Sequence, residues 1–471
     1  MTRNLFWFRQ DLRVNDNAGL WHATQNNQEC LALAIISPQQ WQSHDDAPSK
    51  IYFYLRQLQN IQTELKRLNI PLIIKTIPWW EDIPTYIASL CQELDIDAVY
   101  ANTELPFNEQ QRDTHVTTAL AKLEKNLHLF EDRTLFPTQS IRNKSGEPYK
   151  VFTAFKKTCY ERLSISIPRC YPLPKNQIKV DLGNIENESI TDLISEFKHD
   201  KNHLAFQLEV SEKIAQKKLH DFIKYKISHY DEKRDIPNID GTSQLSPYLN
   251  IGAISVRQCL EEVLKENDYI FSIKSKGQQV WIDELLWREF YQHIMVDFPH
   301  ISKHLPFKKE TQKIQWRNNP DDLAKWQQGK TGIPIVDAGM RQLKQTGWMH
   351  NRVRMICAMF LSKNLLIDWR VGEKWFMQHL LDGDLAANNG GWQWSASTGT
   401  DAVPYFRIFN PVTQSQRFDP TGEYIRIWIP ELRHLDDKQI HAPKAQVSGY
   451  PQPMVDLKAS RERALSAFKN I

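Results

Sequence analysis

The chain has 471 residues, room for two to four domains and a sizeable core, and its formal net charge is only +3. A nucleic-acid partner would therefore need a local basic patch rather than a basic molecule. Six scattered cysteines without a C-x-x-C pair exclude a disulfide framework and a structural zinc site, and no apolar run reaches the roughly 18–20 residues of a membrane helix.

The start of the chain, with Arg3, Arg9, Asp11 and Arg13, does not read as a signal peptide, so a cytoplasmic protein is expected. Residues 1–131 alternate short apolar runs with longer amphipathic ones. The runs over 5–8, 31–36, 72–77, 98–101 and 127–130 predict buried strands, and the spacing predicts helices over 51–68, 83–94 and 108–123. That alternation implies a doubly wound, Rossmann-like α/β domain with a five-stranded parallel sheet. Between Gly19 and Gly146 there is no glycine, so no G-x-G-x-x-G or Walker loop exists there and the main cofactor is expected elsewhere.

Over 132–208 the periodicity fades. Pro137, Pro148, Pro168, Pro172 and Pro174 break regular elements, a helix is expected over 152–163, and 181–203 is polar with little pattern. This reads as a connector wrapping the surface. Residues 209–471 predict a larger all-α domain, with helices over 214–227, 255–265, 280–297, 334–345, 351–362 and 371–381.

Nine of the 15 tryptophans fall between positions 281 and 394. The densest segment, Asp382-Gly383-Asp384-Leu385-Ala386-Ala387-Asn388-Asn389-Gly390-Gly391-Trp392-Gln393-Trp394, reads as a polar, glycine-rich loop. Glycines let backbone approach a flat ligand, and carboxylates and amides hydrogen-bond its heteroatoms. An aromatic redox cofactor fits, and so do stacked nucleic-acid bases. The run Gly241-Thr242-Ser243-Gln244-Leu245-Ser246-Pro247 offers three hydroxyls before a helical stretch, either as an ordinary N-cap or as a diphosphate cradle. In 281–290, Glu284, Trp287 and Arg288 share a helix face, as a surface ion pair beside a core tryptophan or as a reader of a flipped base. Arg352 and Arg354 suit backbone phosphates or plain solvation; Met355 alone would be core, and His350 structural.

These segments resemble the photolyase/cryptochrome family, in family order along nearly the whole chain. Further segments join them: Asn4-Leu5-Phe6-Trp7-Phe8-Arg9-Gln10-Asp11-Leu12-Arg13, Gly347-Trp348-Met349-His350-Asn351-Arg352-Val353-Arg354-Met355, Ile367-Asp368-Trp369-Arg370 and Tyr405-Phe406-Arg407-Ile408-Phe409-Asn410-Pro411. The likeness is greatest to bacterial class I enzymes for cyclobutane pyrimidine dimers. It implies light-dependent repair of UV-damaged DNA by an electron from excited reduced FAD to a flipped-out dimer.

By resemblance, one non-covalent FAD is held by Tyr230, Thr242, Ser243, Gln244, Leu245, Ser246, Trp281, Arg288, Asn351, Asp382, Gly383 and Asp384. Asn388 faces its central nitrogen, where plant cryptochromes carry aspartate. Trp392, Trp369 and Trp316 form the chain that relays electrons to the flavin. The damaged DNA meets Arg234, Glu284, Trp287, Asn351, Arg352, Met355, Trp394, Arg407 and Gln414. Amide and thioether at 351 and 355 replace the histidines of (6-4) photolyases and favour a cyclobutane dimer. His44, Asn108, Glu109 and Lys303 resemble a methenyltetrahydrofolate antenna site. Ser302 departs from the cysteine of a close relative, which leaves a deazaflavin antenna open, and Gln244 stands where relatives are often basic. No metal, membrane or obligate protein partner is implied, and a monomer is expected. The rival readings are a cryptochrome-type light sensor, disfavoured by Asn388 and by the lack of a C-terminal extension, and a flavoenzyme for a small substrate, which would need a nicotinamide site.

Overall fold

A computed structural model describes residues 2–469 except 26–27, 181, 183–184, 198–202, 266 and 268. The first third forms a parallel sheet of β1 (Arg3–Phe8), β2 (Glu29–Ile36), β3 (Leu72–Thr76), β4 (Ala98–Asn102) and β5 (Asn126–Phe130), in the order β3-β2-β1-β4-β5. Alternation along β1 sends Leu5 and Trp7 to one face, against Ile87, Leu90 and Val116, and Phe6 and Phe8 to the other, against Phe53 and Leu55. Both faces are buried, which is why these strands read as continuous apolar runs. The helices Pro48–Arg67, Ile83–Glu93 and Phe107–Ala121 lie within a few residues of their expected bounds. Two short helices, Ala18–Ala23 and Pro38–Ser43, carried no period long enough to read.

The connector contains the expected helix, here Phe152–Ile165, and a second one, Ile190–Glu196, inside the stretch that looked patternless. Of that stretch, 181, 183–184 and 198–202 lie outside the described residues. The connector runs along the outer edge of β3: Asn187 and Glu188 bond the backbone of Leu72, Ile74 and Thr76. Ten residues earlier, the Gln177 amide bridges Cys30 and Asn69.

The rest is helical. The helix Lys276–Asp297 is its spine, and the N-terminal sheet shares one continuous apolar core with it. Buried ion pairs lock the two domains. Arg13 meets Asp132 at 2.5 Å, and Arg257 meets Asp16 at 2.9 Å and Asp132 at 2.6 Å. Burial opposes ionisation of Asp132, yet Arg13 and Arg257 hold its carboxyl down at about 2.

Two helices are bounded differently from expectation. The helix from Asn351 is α-helical only to Met359 and then widens into a π-turn over Phe360–Asn364. The helix expected over 371–381 begins at Trp369, because the Asp368 side chain accepts from Arg370 N, and stops at Met377.

Candidate flavin and DNA site

The segment expected as a loop is mostly a helix, Leu385–Ala396. Its glycines hid it, since glycine weakens helix propensity by about 1 kcal/mol. Packing overrides that cost. Asp384 caps the helix by accepting from Ala387 N at 2.9 Å. A Cβ on Gly390 would sit 2.3 Å from the Tyr291 ring. A Cβ on Gly391 would meet nothing within 4 Å, so the exposed helix face around Gly391, Ala387 and half-buried Asn388 is open to a flat ligand.

The three residues before this helix gather the site. Ser246 Oγ donates to Asp382 at 2.6 Å, and Arg354 donates to both Asp382 oxygens at 2.8 and 3.0 Å. Asn250 Nδ2 and Lys50 Nζ both donate to the Gly383 carbonyl, at 3.1 and 2.9 Å. Arg133 reaches Asp384 at 2.6 Å, with Gln292 beside it at 3.2 Å. Burial resists the charge on Asp384, but Arg133 and Arg288 hold its carboxyl at about 2. Arg288 feels the reverse: burial first, then the charge of Arg133, push its guanidinium down to about 10. Two guanidiniums against one carboxylate leave a positive surplus that suits an electron-rich, anionic ring.

In the 241–247 run, Thr242 and Ser243 are half-buried, Gln244 adopts a left-handed φ of 52°, and Leu245 is buried. The following helix, Ser246–Asn250, has no side-chain cap. The ordinary N-cap reading therefore fails; Ser246 is taken by Asp382, and the Thr242 and Ser243 hydroxyls stay available. Tyr230 and Trp281 flank Phe222 in the wall below, ring centroids 5.5 and 5.3 Å away. The buried Nε1 of Trp392 has no partner among the described residues. The open helix face, the positive surplus and the uncapped hydroxyl run together fit an FAD.

On the face shared by Glu284, Trp287 and Arg288, the surface ion pair does not form. Glu284 turns to Arg234 at 2.6 Å, Arg288 donates to the Arg133 carbonyl at 2.7 Å, and Trp287 stacks on Phe152 with centroids 3.7 Å apart. Burial raises the Glu284 carboxyl above the ordinary range, only partly relieved by Arg234. Asn351 is exposed, Met355 and Trp394 are half-buried, and none of the three is core. Arg352 pairs with Asp235 at 2.9 Å, while Arg354 is committed to Asp382, so the expected basic pair splits between rim and interior. Arg407 is exposed beside Phe406, and Gln414 is half-buried on the helix Pro411–Phe418. His350 is structural as expected: it caps Asn351–Met359, and burial lowers it to about 4.

The three tryptophans run outward. Trp392 and Trp369 are buried in one cluster, and half-buried Trp316 packs against it. The Trp392 ring lies on Gly372, one turn along the helix that Trp369 begins; a Cβ there would come within 2.1 Å of the ring. Arg317 N bonds the Leu366 carbonyl at 2.7 Å, which brings Trp316 alongside. The four antenna candidates also gather. Asn108 bonds the His44 ring at 3.1 Å, Lys303 Nζ stands 3.7 Å from the Phe107 centroid, and burial pushes Glu109 up to about 7. Beside them, at the carboxyl ends of β1 and β2, lies an open cleft lined by Trp7, Trp41, Tyr54, Trp80, Lys50 and Arg112.

Reasoning from sequence missed Arg133, Gln292, Asn250, Lys50 and Glu373, which hold the segment from outside. Arg133 sits in the connector and Lys50 in the other domain, and no spacing rule links them to position 384.

Comparison with known proteins agrees with this geometry. Residues 4–175 match the family model for DNA photolyase, and 281–470 match that for the FAD binding domain of DNA photolyase. The chain is 43% identical to a deoxyribodipyrimidine photo-lyase of Escherichia coli, over all of this chain and 99% of that protein. A Neurospora crassa protein of the same name is 35% identical over 98% of this chain and 81% of its own length. Among solved structures, a bacterial class III photolyase from Agrobacterium tumefaciens superposes with a TM-score of 0.86 at 32% identity, covering 100% of this chain and 98% of its own. A cryptochrome from Synechocystis reaches 0.83 at 27%, covering 99% of each. From its parallel α/β half to its glycine-bearing helix at 385–396, the chain belongs to the DNA photolyase family.

Proposed function

We infer that this chain is a light-driven DNA repair enzyme, a deoxyribodipyrimidine photo-lyase that splits cyclobutane pyrimidine dimers with FAD as its working cofactor. The observation that carries this is full-length likeness to proteins of that name, from bacteria and a fungus. When bound, reduced FAD supplies the light-excited electron that opens the cyclobutane ring and takes it back afterwards, so there is no net oxidation. The residues of the chain bind, orient and tune. Thr242, Ser243, Gln244, Leu245 and Ser246, with Tyr230, would hold the diphosphate. Asp382, Gly383, Asp384, Arg288 and Trp281 would hold the ring and sugar, with Asn388 toward the central nitrogen and Asn351 at the rim.

A dimer swung out of the duplex would lie between Trp287 and Trp394, beside Met355. Extrusion costs least where pairing is already damaged, which favours the lesion. Glu284, its carboxyl raised by burial, would share a proton with a dimer carbonyl as negative charge grows there. Arg234 fixes that carboxyl, and Arg352, Arg407 and Gln414 would meet the DNA backbone. Trp392, Trp369 and Trp316 would carry electrons inward from the surface.

The antenna reading keeps a methenyltetrahydrofolate at His44, Asn108, Glu109 and Lys303. The aromatic cleft beside them would admit a deazaflavin or other flat ring instead. A photolyase from Sulfolobus tokodaii, 29% identical, is described with two FAD molecules. Acid extraction and chromatography of the bound chromophores decides between them.

No described helix is long and apolar enough to cross a membrane, and we place the enzyme in the cytoplasm as a monomer without an obligate protein partner. The cryptochrome fold is shared, so fold alone does not separate repair from sensing. The deciding experiment irradiates oligothymidylate, adds reduced protein and follows thymine absorbance in blue light and in darkness. Recovery in light only establishes repair. Flavin photoreduction without recovery would make the chain a sensor.

A further inference from the structure

One polar network links the surface to the open face of the helix Leu385–Ala396 from behind. Glu373 is almost wholly buried, on the helix Trp369–Met377, and its two oxygens face opposite ways. Oε2 meets His304 Nδ1 at 3.0 Å, and Oε1 accepts from Asn389 Nδ2 at 2.9 Å. The Glu373 backbone carbonyl accepts from Asn388 Nδ2 at 3.0 Å. Asn389 passes the chain on: its Oδ1 accepts from Gln393 Nε2 at 2.8 Å, and Gln393 Oε1 accepts from Phe307 N at 2.8 Å. The network thus closes on the turn that carries His304.

His304 is the one member that titrates near neutral pH and also meets water, with more than half its side chain exposed. It holds a left-handed φ of 57°, which non-glycine residues rarely adopt, and Arg370 Nε bonds its carbonyl at 2.7 Å. Four charges surround it. Glu373 and Asp45 favour its protonated form, Arg370 opposes it, and Lys303 is its chain neighbour. The hydrogen bond that His304 donates to the Glu373 carboxylate leads, so the imidazole titrates above the ordinary histidine value.

We propose that His304 and Glu373 are positioning residues for Asn388: the charge on His304 sets how firmly Glu373 anchors the Asn388–Asn389 pair, and so the hydrogen bond that Asn388 offers the flavin. This rests on the reading of Asn388 as the residue facing the flavin. With His304 charged, Glu373 is pinned, and the Asn388 amide N–H₂ group stays on the Glu373 carbonyl with its oxygen free. With His304 neutral, the buried carboxylate loses its counter-charge and the pair is free to shift. The flavin environment then becomes a readout of pH at the protein surface.

The test uses FAD-bound protein and the visible absorption band of the flavin between pH 5.5 and 9, with His304 followed by NMR in the apoprotein. The wild-type band should shift as His304 titrates. His304→Gln should give the alkaline spectrum at every pH, and His304→Lys, which keeps the charge, the acid spectrum at every pH. The His304 midpoint should move when FAD binds, as reciprocal coupling requires. Full pH dependence retained in His304→Gln overturns the relay alone. A flavin spectrum unchanged by Asn388→Ala overturns the assignment of Asn388, and the relay with it.

Discussion

Glu284 combines two opposed influences in one carboxyl: burial that favours the neutral acid and an arginine that favours the anion. Removing it in Glu284→Ala should lower the yield of dimer splitting about 100-fold, the scale of a lost charge-stabilising group, while FAD stays bound. Steady-state repair and the flavin absorbance ratio measure the two separately. Gly372 makes a sharper case, because its missing Cβ is the space that the Trp392 ring occupies. Gly372→Ala should cost about 1–3 kcal/mol by overpacking and slow light-driven flavin reduction, leaving repair by chemically reduced enzyme closer to wild type. At this scale the resemblance names candidate residues, but not their partners. Glu284 and Arg288 stand four apart on one helix face and still serve different neighbours, because Arg234 and Arg133 come from elsewhere in the chain. Spacing along a helix says which residues can meet, not which competing partner wins.

Among the elements, strands and long helices were legible because both periods are strong there. The helix Leu385–Ala396 was not, since two glycines and two amides mask it and only Tyr291 and the Asp384 cap explain it. The π-turn Phe360–Asn364 was equally hidden, and it carries a buried lysine. Lys363 Nζ donates to Ser397 Oγ at 2.9 Å and lies 3.4 Å from the centroid of Phe468, on the C-terminal helix Leu457–Lys469. The ring face attracts a charged amine by about 1–2 kcal/mol. Burial outweighs this and lowers the amine to about 6. Between pH 6 and the ordinary lysine value the unfolded chain binds the extra proton, so this residue makes stability rise with pH. Lys363→Met should therefore raise the melting temperature most near pH 6, with the gain shrinking toward pH 10, as a calorimetric pH series would show.

For the molecule as a whole, the order of a sheet-bearing part followed by a helical one could be read, but not the lock between them. Arg13, Asp16, Asp132 and Arg257 look like ordinary surface charges in sequence, and folding buries all four. Arg257→Met strands the Asp16 carboxylate and leaves Asp132 with Arg13 alone, and should cost about 3–5 kcal/mol in chemical denaturation. The pH sign follows from Asp132, whose folded carboxyl sits at about 2. Its contribution is present above the ordinary aspartate value and is lost as pH falls toward 2. Asp11 works oppositely: burial raises it to about 6, so its contribution fades as pH climbs from about 4 through 6. The Arg257 variant should consequently begin acid unfolding at a higher pH than wild type, which circular dichroism can follow.

The connector along β3 has a further role in solubility. An uncovered outer strand offers free backbone groups to any other chain, the first step of edge-to-edge aggregation. Here Asn187 and Glu188 occupy those groups with side chains and a single backbone bond, giving a covering that cannot be extended by another strand. A protease cut in the connector near Asn187 and Glu188 should expose a sticky border. Nicked protein should accordingly precipitate before it loses its flavin.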